Sequence, residues 1–347
     1  MSRKAHSLSN KCYAVLLSRF GRAHKGEYRE TVMEGKNPYC IIITGPTATG
    51  KTRTAARLAY DIKGEIISAD SRQVYRGMDI GTGKDLRDYH VAEKKIAAHL
   101  IDIVAPGETF SVFEFQRRFD ECFVTITERG NVPILAGGTG LYIDAVVRGY
   151  RMAKVPEDPE LRRELKSWRR EDLEKRLRAV AASLHNTTDL TQRDRLIRAI
   201  EIAEYTRNHD VLDKTVRPAI RSFVIGLYDD RWNIRRRIRK RLLARLDEGM
   251  VEEVKRLHAQ GLSWETLDSF GLEYRYVSRY LQGVLPYDEM VDTLNTRINQ
   301  YAKRQMTWFR RMERLGVTIH WVKAGEYQQV KDLVDEHGIL LETTQGS

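Results

Sequence analysis

The chain has 347 residues, with 59 lysines and arginines against 48 aspartates and glutamates, and a net charge of +11. Its length suits one large domain or two linked ones, and its 41% of apolar residues excludes a wholly disordered chain. No segment approaches the roughly 18 consecutive apolar residues of a membrane helix, so we expect a soluble protein, and the basic excess suggests an anionic partner. The three cysteines, Cys12, Cys40 and Cys122, form no CxxC pair, which excludes a disulfide scaffold and a zinc ribbon and fits the reducing cytoplasm.

Residues 1–37 differ in composition from the rest of the chain. The first 26 residues carry six lysines and arginines and no acid, a pattern that is also typical of a mitochondrial transit peptide. A disordered basic extension, or a true start at Met33, explains the same pattern. We favour these two explanations because Glu27, Glu30 and Glu34 follow closely. A mitochondrial location is therefore the less favoured alternative to a cytoplasmic one.

From residue 39 onward, short apolar runs alternate with helical patterns. Residues 39–44 form a continuous apolar run, as a strand buried on both faces of a parallel sheet requires. Further strands are predicted at 65–68, 99–104, 132–136 and 223–228, and helices at 52–61, 111–129 and 289–314 and from residues 141 and 230 onward. This alternation with short turns predicts an α/β fold with a doubly wound parallel sheet flanked by helices.

Residues 158–207 are highly charged and show no strand alternation, which predicts a mostly helical insertion domain in the α/β fold. The expected organisation has five parts in chain order. They are a basic extension at 1–37, the first part of the α/β core at 38–150, the helical insertion at 151–215, the return to the core with C-terminal helices at 216–325, and a tail at 326–347.

Residues 45–52 match the full G-x-x-x-x-G-K-T pattern of a phosphate-binding loop (P-loop), and they lie between a predicted strand and a predicted helix, as this motif requires. The backbone N–H groups of the loop and the start of the helix would bind phosphate oxygens. Lys51 would reach the outer phosphates, and the Thr52 hydroxyl can hold Mg²⁺. The predicted phosphate-binding residues are Gly45, Pro46, Thr47, Ala48, Thr49, Gly50, Lys51 and Thr52. The motif specifies a phosphate chain, but neither ATP nor hydrolysis.

An ATPase or kinase normally has a second carboxylate at a neighbouring strand end to complete its metal site. The predicted strand at 132–136 is followed by Gly-Gly-Thr and not by an acid, so Asp70 and Asp102 are the substitutes to consider. Asp70 follows the strand at 65–68, where a carboxylate can hold a metal or act as a base; alternatively, it caps the turn through Ser71. The pattern weakens a hydrolase assignment without excluding it.

Six segments together resemble the tRNA dimethylallyltransferase (tRNA isopentenyltransferase) family. They are ITGPTATGKT (43–52), ISADSRQVYRGMDIGTGK (67–84), HLIDIVAPGETFSV (99–112), PILAGGTGLYIDAVVRG (133–149), EEVKRL (252–257) and TRINQYAKRQMTWFRR (296–311). The resemblance implies a P-loop NTPase-like sheet whose helical insertion grips the anticodon arm of tRNA. It implies transfer of a dimethylallyl group from dimethylallyl diphosphate to N6 of the adenosine just 3′ of the anticodon, with Mg²⁺ as cofactor. We expect a monomer that does not associate with membranes.

The resemblance also implies roles for single residues, and the phosphate loop becomes the site of the diphosphate. Asp70 matches the general base, Thr139 the residue that helps to hold the reacting base, and Arg237 the clamp on the pyrophosphate. A carboxylate base suits adenine N6, whose lone pair is drawn into the ring. Residues 231–245 contain eight arginines and lysines, so most of them are expected to be solvated or to face RNA. Positions that match tRNA contacts are Asp70, Ser71, Arg72, Gln73, Thr139, Arg162, Arg195 and Arg198.

Three departures from the family pattern lie mostly in regions that the family uses for RNA. Asp194 replaces a glutamine, Arg207 replaces a glycine, and residues 271–275 are GLEYR in place of a GYKE run. The reaction type is therefore better supported than the nucleic-acid substrate. The first alternative is prenylation of free adenine nucleotides (AMP, ADP or ATP), which needs no helical insertion. The others are a P-loop small-molecule kinase, and a non-catalytic RNA-binding protein, which predicts loss of Asp70 or Lys51.

Overall fold

The computed structural model describes residues 38–150, 152, 154–180, 193–209 and 217–339. The predicted N-terminal extension lies outside these residues, as do the last eight positions of the predicted tail. None of the helices in the described part is long and apolar enough to cross a membrane.

The described residues form a six-stranded parallel sheet with the strand order β5-β2-β6-β1-β7-β8. A separate antiparallel pair joins β3 to β4. The strands are β1 (Tyr39–Thr44), β2 (Gly64–Ala69), β3 (His90–Val91), β4 (Lys94–Lys95), β5 (Ala98–His99), β6 (Val132–Gly137), β7 (Arg221–Tyr228) and β8 (Ile319–Lys323). The predicted α/β fold class with a parallel sheet is confirmed.

Helices flank the sheet and form the insertion. They are α1 (Lys51–Ile62), α2 (Val112–Glu128), α3 (Gly140–Val147), α4 (Pro159–Lys166), α5 (Arg170–Val180), α6 (Arg193–Asn208), α7 (Arg231–Asp247), α8 (Met250–Ala259), α9 (Trp264–Ser269), α10 (Leu272–Leu281), α11 (Tyr287–Arg314) and α12 (Tyr327–Glu336). Ser111 begins α2 as predicted, because its side chain accepts a hydrogen bond from Glu114 N at 3.2 Å.

Both faces of the sheet are buried, which explains the continuous apolar strands. Ile41 and Ile43 of β1 pack on the face that α1 covers, whereas Ile42 packs on the face of α2. The predicted apolar stripe of α2 faces inward, with Phe115 and Phe119 fully buried. Burying one such ring stabilises the fold by about 1.5–3 kcal/mol.

Two segments differ from the sequence-based expectation. The strand predicted at 99–104 ends at His99, because Leu100 and Asp102 adopt positive φ angles of 61° and 55° that interrupt the ladder. Part of the predicted C-terminal tail forms α12, and its Val334 is fully buried in the core on the α1 side.

The helical insertion has a small apolar core of its own. Leucine and isoleucine side chains from α4, α5 and α6 pack together there, which agrees with the predicted helical character of 158–207. A larger apolar cluster joins residues 74–78 to α7, α8, α10 and α11. Of these helices, α7, α10 and α11 line a cleft at the carboxyl ends of the central strands.

Candidate active site

One cleft of about 850 Å³ opens at the carboxyl ends of β1, β2 and β6. The phosphate loop, residues 70–73 and the Gly137–Gly138 turn lie on the sheet side of the cleft. Residues of α7, α10 and α11 line its other walls. Parallel α/β sheets bind ligands at this edge, because the loops after neighbouring strands meet there.

The phosphate loop has the backbone shape that its glycines allow. Gly45 has a φ of 140°, and a Cβ atom on it would lie only 2.3 Å from the carbonyl oxygen of Leu227. Gly50, with a φ of 80°, directly precedes α1 and leaves the positive end of that helix facing the cleft. Thr49 stabilises the turn, since its hydroxyl donates to Pro46 O at 2.8 Å. Thr47, Ala48, Gly50, Lys51 and Thr52 line the cleft.

The ammonium group of Lys51 donates to Pro46 O at 2.7 Å. Burial lowers the pKa of Lys51 to about 7, and the nearby charge of Arg241 adds to this effect, whereas Asp70 opposes it. An anion bound in the loop would favour the charged form of Lys51.

Helix α7 directs a row of arginines toward the loop at a spacing of four residues. Arg237 Nε donates to Ala48 O at 2.7 Å, and its Nη2 lies 2.5 Å from Asp229 Oδ2. The predicted pyrophosphate clamp, Arg237, therefore holds the loop backbone itself.

One turn later on α7, Arg241 lines the cleft. Burial, followed by the charge of Arg245, lowers the pKa of Arg241 to about 10. The sequence does not distinguish Arg241 from the other basic residues of 231–245, except by its i+4 spacing from Arg237.

Asp70 and Thr139 come together from the ends of two neighbouring strands. Asp70 Oδ1 accepts a hydrogen bond from Arg72 N at 2.9 Å, so the carboxylate does cap the following turn. Ser71 N donates to Thr139 Oγ1 at 3.1 Å, and Thr139 N donates to Ala69 O at 3.1 Å. The carboxylate of Asp70 thus caps its own turn and also lies in a position to face a ligand in the cleft.

Gln73, the last residue of the predicted tRNA-contacting run, is fixed on two sides. Its Oε1 accepts from Ser68 Oγ at 3.1 Å, and its Nε2 donates to Gly83 O at 3.2 Å. Together with the Asp70 cap, these bonds give the wall at 70–73 a defined shape.

Of the three arginines predicted to bind tRNA in the insertion, Arg195 lines the cleft. Arg162 and Arg198 instead converge on Glu201, which is 2% exposed. Arg162 Nη2 donates to Glu201 Oε2 at 2.9 Å, and Arg198 Nη2 donates to Val155 O at 2.8 Å. These two side chains tie α6 to the entry of the insertion, and their contact with RNA stays a prediction.

Helix α11 brings basic and aromatic side chains to the rim of the cleft. Arg297 Nε donates to the Tyr276 hydroxyl at 3.1 Å, and the Arg304 guanidinium lies 5.9 Å from the ring centre of Tyr301. Tyr301 lines the cleft and is 38% exposed. Phe309 is fully buried in the core. Only part of the interleaved pattern is therefore available to a ligand.

The fold and cleft define a P-loop α/β protein in which a carboxylate and a phosphate-binding loop share one cavity. The family model described as IPP transferase matches residues 73–312, and one described as isopentenyl transferase matches residues 39–96. The chain belongs to the IPP transferase family and is a prenyltransferase.

The similarity to known proteins extends over most of the chain. It is 52% identical to tRNA dimethylallyltransferase 1 of Syntrophus aciditrophicus over 84% of this chain and 96% of that protein. It is 51% identical to tRNA dimethylallyltransferase 1 of Geotalea uraniireducens over 82% of this chain and 92% of that protein. The crystal structure of a tRNA isopentenylpyrophosphate transferase from Bacillus halodurans matches with a TM-score of 0.63 and 32% identity, over 88% of this chain and 98% of that one. A eukaryotic dimethylallyltransferase acting on tRNA shares the fold, with a TM-score of 0.66 at 22% identity over 87% of this chain and 78% of that one.

Proposed function

We propose that the protein transfers the dimethylallyl group of dimethylallyl diphosphate to N6 of the adenosine 3′-adjacent to the anticodon in tRNA and releases pyrophosphate. The observation that carries this proposal is that the phosphate loop, Asp70 and Arg195 of the insertion line one cleft. The similarity to proteins named tRNA dimethylallyltransferase supports it. The expected cytoplasmic location and monomeric state stay predictions.

The diphosphate would bind at the phosphate loop. Backbone N–H groups of the loop, the start of α1 and the ammonium group of Lys51 face that position, and Arg241 adds a second cation from α7. When the allylic C–O bond breaks, its electron pair leaves with the pyrophosphate, and these groups stabilise the growing negative charge. Arg237 contributes indirectly, because it holds Ala48 of the loop in place.

The acceptor would be the exocyclic N6 of adenine, which forms a bond to the allylic carbon and gives up a proton. Asp70 would accept that proton, since its carboxylate lines the cleft beside the loop. Thr139, whose hydroxyl already fixes Ser71, would help to hold the base next to Asp70. In a folded RNA loop the adenosine must leave its stack to enter such a cleft.

The residues of the cleft fit a Mg²⁺ ion that is held mainly by the substrate. The hydroxyl of Thr52 lines the cleft, and a hard oxygen donor is what Mg²⁺ prefers. Within the described ranges, no group of three or more histidine, cysteine and acidic side chains forms a metal cage. Mg²⁺ commonly binds through one or two protein oxygens plus substrate phosphates, and it would supply positive charge to the diphosphate.

The proposal is tested by incubating the protein with Mg²⁺, labelled dimethylallyl diphosphate, and either unmodified tRNA or AMP. Label in the adenosine 3′ of the anticodon supports the proposal. Label in AMP alone favours prenylation of free adenine nucleotides. Release of phosphate from ATP without any transfer favours the kinase class.

A further inference from the structure

A second buried carboxylate lies behind the cleft. Glu253 of α8 is 4% exposed, and its two oxygens accept four hydrogen bonds. Oε2 accepts from Asp79 N and Ile80 N, both at 2.8 Å. Oε1 accepts from Gly81 N at 3.0 Å and from the Tyr274 hydroxyl at 2.7 Å. A buried carboxylate is costly unless its oxygens are hydrogen-bonded, and here they are.

Three of these donors are consecutive backbone N–H groups, so Glu253 fixes the conformation of the loop at residues 79–83, which we call the glycine loop. Inside the loop, Gly83 N donates to Ile80 O at 3.1 Å and closes a turn. If glutamine replaced Glu253, an amide NH₂ group would stand in place of one carboxylate oxygen, and that group could not accept the hydrogen bonds made there. The loop therefore depends on an intact carboxylate.

The glycine loop forms part of the cleft wall. Gly81, Thr82 and Gly83 line the cleft. Gly83 O accepts the hydrogen bond from Gln73 Nε2 at 3.2 Å, which links the loop to the wall that carries Asp70. A movement of the glycine loop would therefore be passed to Gln73.

The fourth donor connects Glu253 to a second wall of the cleft, formed by α10. Tyr274 belongs to α10, and the adjacent Glu273 lines the cleft. Tyr274 also touches the glycine loop closely, since a Cβ atom on Gly81 would lie 2.7 Å from its Cζ. Glu253 thus holds two walls of the cleft from one buried point.

We propose that Glu253 is a positioning residue that sets the separation between the glycine loop and α10, and through it the placement of the adenosine against Asp70. This inference rests on the proposed function. Glu253 itself touches neither substrate. Because the phosphate loop is held by hydrogen bonds from Arg237 and Gln305, and the hydrogen bonds of Glu253 go to neither residue, the diphosphate site is not expected to depend on Glu253.

The test compares Glu253→Gln with the matched control Glu252→Gln, which removes the same charge one residue earlier on α8 from a side chain that is 69% exposed. Each rate is divided by the concentration of diphosphate-binding sites, so that a smaller folded fraction in a variant does not lower its apparent kcat. For Glu253→Gln we expect kcat with tRNA to fall on the order of 10- to 100-fold, as a misplacement of about 1 Å does, with the KM for dimethylallyl diphosphate within about twofold of wild type. Glu252→Gln is expected to match the wild type.

A second variant guards against misfolding of Glu253→Gln. Gly81→Ala keeps the carboxylate but pushes the glycine loop away from Tyr274, and it should reproduce the fall in kcat with an unchanged KM for the diphosphate. A normal kcat per site in both variants, or a parallel loss of diphosphate binding and transfer, would overturn the inference. Absence of transfer by the wild type would instead contradict the proposed function.

Discussion

Gln305 of α11 is hydrogen-bonded to Thr47 of the phosphate loop, although the two residues are 258 positions apart. Thr47 N donates to Gln305 Oε1 at 2.8 Å. The Nε2 atom of the same side chain donates to Gly138 O at 2.8 Å, and Gln305 is 6% exposed. One buried amide therefore sets the phosphate loop relative to the turn that carries Thr139.

Replacing Gln305 by leucine should weaken diphosphate binding and destabilise the fold. The part-buried Thr47 N–H and the buried Gly138 carbonyl would each lose a partner, and the loss costs about 1–3 kcal/mol for the buried carbonyl and less for the N–H. Thermal unfolding and the KM for dimethylallyl diphosphate report the two effects. Gln328→Leu on the exposed side of α12 is the control and should change neither. An unchanged KM in Gln305→Leu would contradict the bridging role.

Arg241→Met should weaken binding of pyrophosphate and slow transfer. The substitution keeps most of the side-chain volume but removes a cation from the cleft, and loss of one charge-stabilising donor costs on the order of 10²-fold in rate. Arg239 provides the matched control on the same helix, because it lies at the surface 2.7 Å from Asp292. Titration of each variant with pyrophosphate checks the binding part, and equal affinities for the two variants would argue against Arg241.

Thr139→Val and Thr139→Ser separate the hydroxyl from the shape of the side chain. Valine removes the acceptor for Ser71 N, so the Asp70 turn loses its side-chain hydrogen bond to Thr139, while the backbone bond from Thr139 N to Ala69 O is kept. In the valine variant we expect kcat with tRNA to fall on the order of 10- to 100-fold. In the serine variant, which keeps the hydroxyl, we expect kcat to stay within about threefold of wild type. Equal rates for serine and valine would mean that the hydroxyl is dispensable.

Asp229→Asn should change how stability depends on pH. Burial works to raise the pKa of Asp229, but hydrogen bonds from Asn233, Arg237 and its neighbour's backbone outweigh burial and hold the pKa below its ordinary value. The stabilisation from such a carboxylate is fully present above its ordinary pKa of about 4 and is lost as pH falls through the lower folded-state value.

The asparagine variant should therefore be less stable than wild type at neutral pH by about 1–3 kcal/mol, with a smaller further loss in acid. Denaturant unfolding between about pH 7 and pH 3 measures both. The control is Asp292→Asn, whose side chain is 72% exposed. If the free energy of unfolding of Asp229→Asn depended on pH as that of the wild type does, a contribution of Asp229 to the loss of stability in acid would be ruled out.

The sequence predicts those features of the site that depend on residues close together in the chain. The phosphate loop and Asp70 follow apolar strands directly, so motif and strand together placed them at one edge of the sheet. Gln305 and Glu253 could not be found this way, since their partners are distant in sequence and tertiary packing alone brings them together. An arginine such as Arg162 looks the same in sequence whether it binds RNA or an internal carboxylate.

The early end of β5 has a similar explanation. The run from His99 to Val104 is apolar enough for a strand, but the left-handed backbone of Leu100 and Asp102 is set by the path of the chain back to residues 73–76. Val104 instead forms an isolated bridge with Tyr75. Apolar content indicates burial, and here burial occurs without regular strand pairing.

The proposed reaction gives Asp70 the role of the base, which takes the proton from adenine N6 during transfer to tRNA. Asp70→Asn tests it most directly, because asparagine keeps an oxygen to cap Arg72 N but is not a base at neutral pH. Single-turnover transfer from labelled dimethylallyl diphosphate to tRNA should slow by roughly 10²–10⁴-fold, while pyrophosphate binding persists. A near wild-type transfer rate in Asp70→Asn would show that Asp70 is not the base.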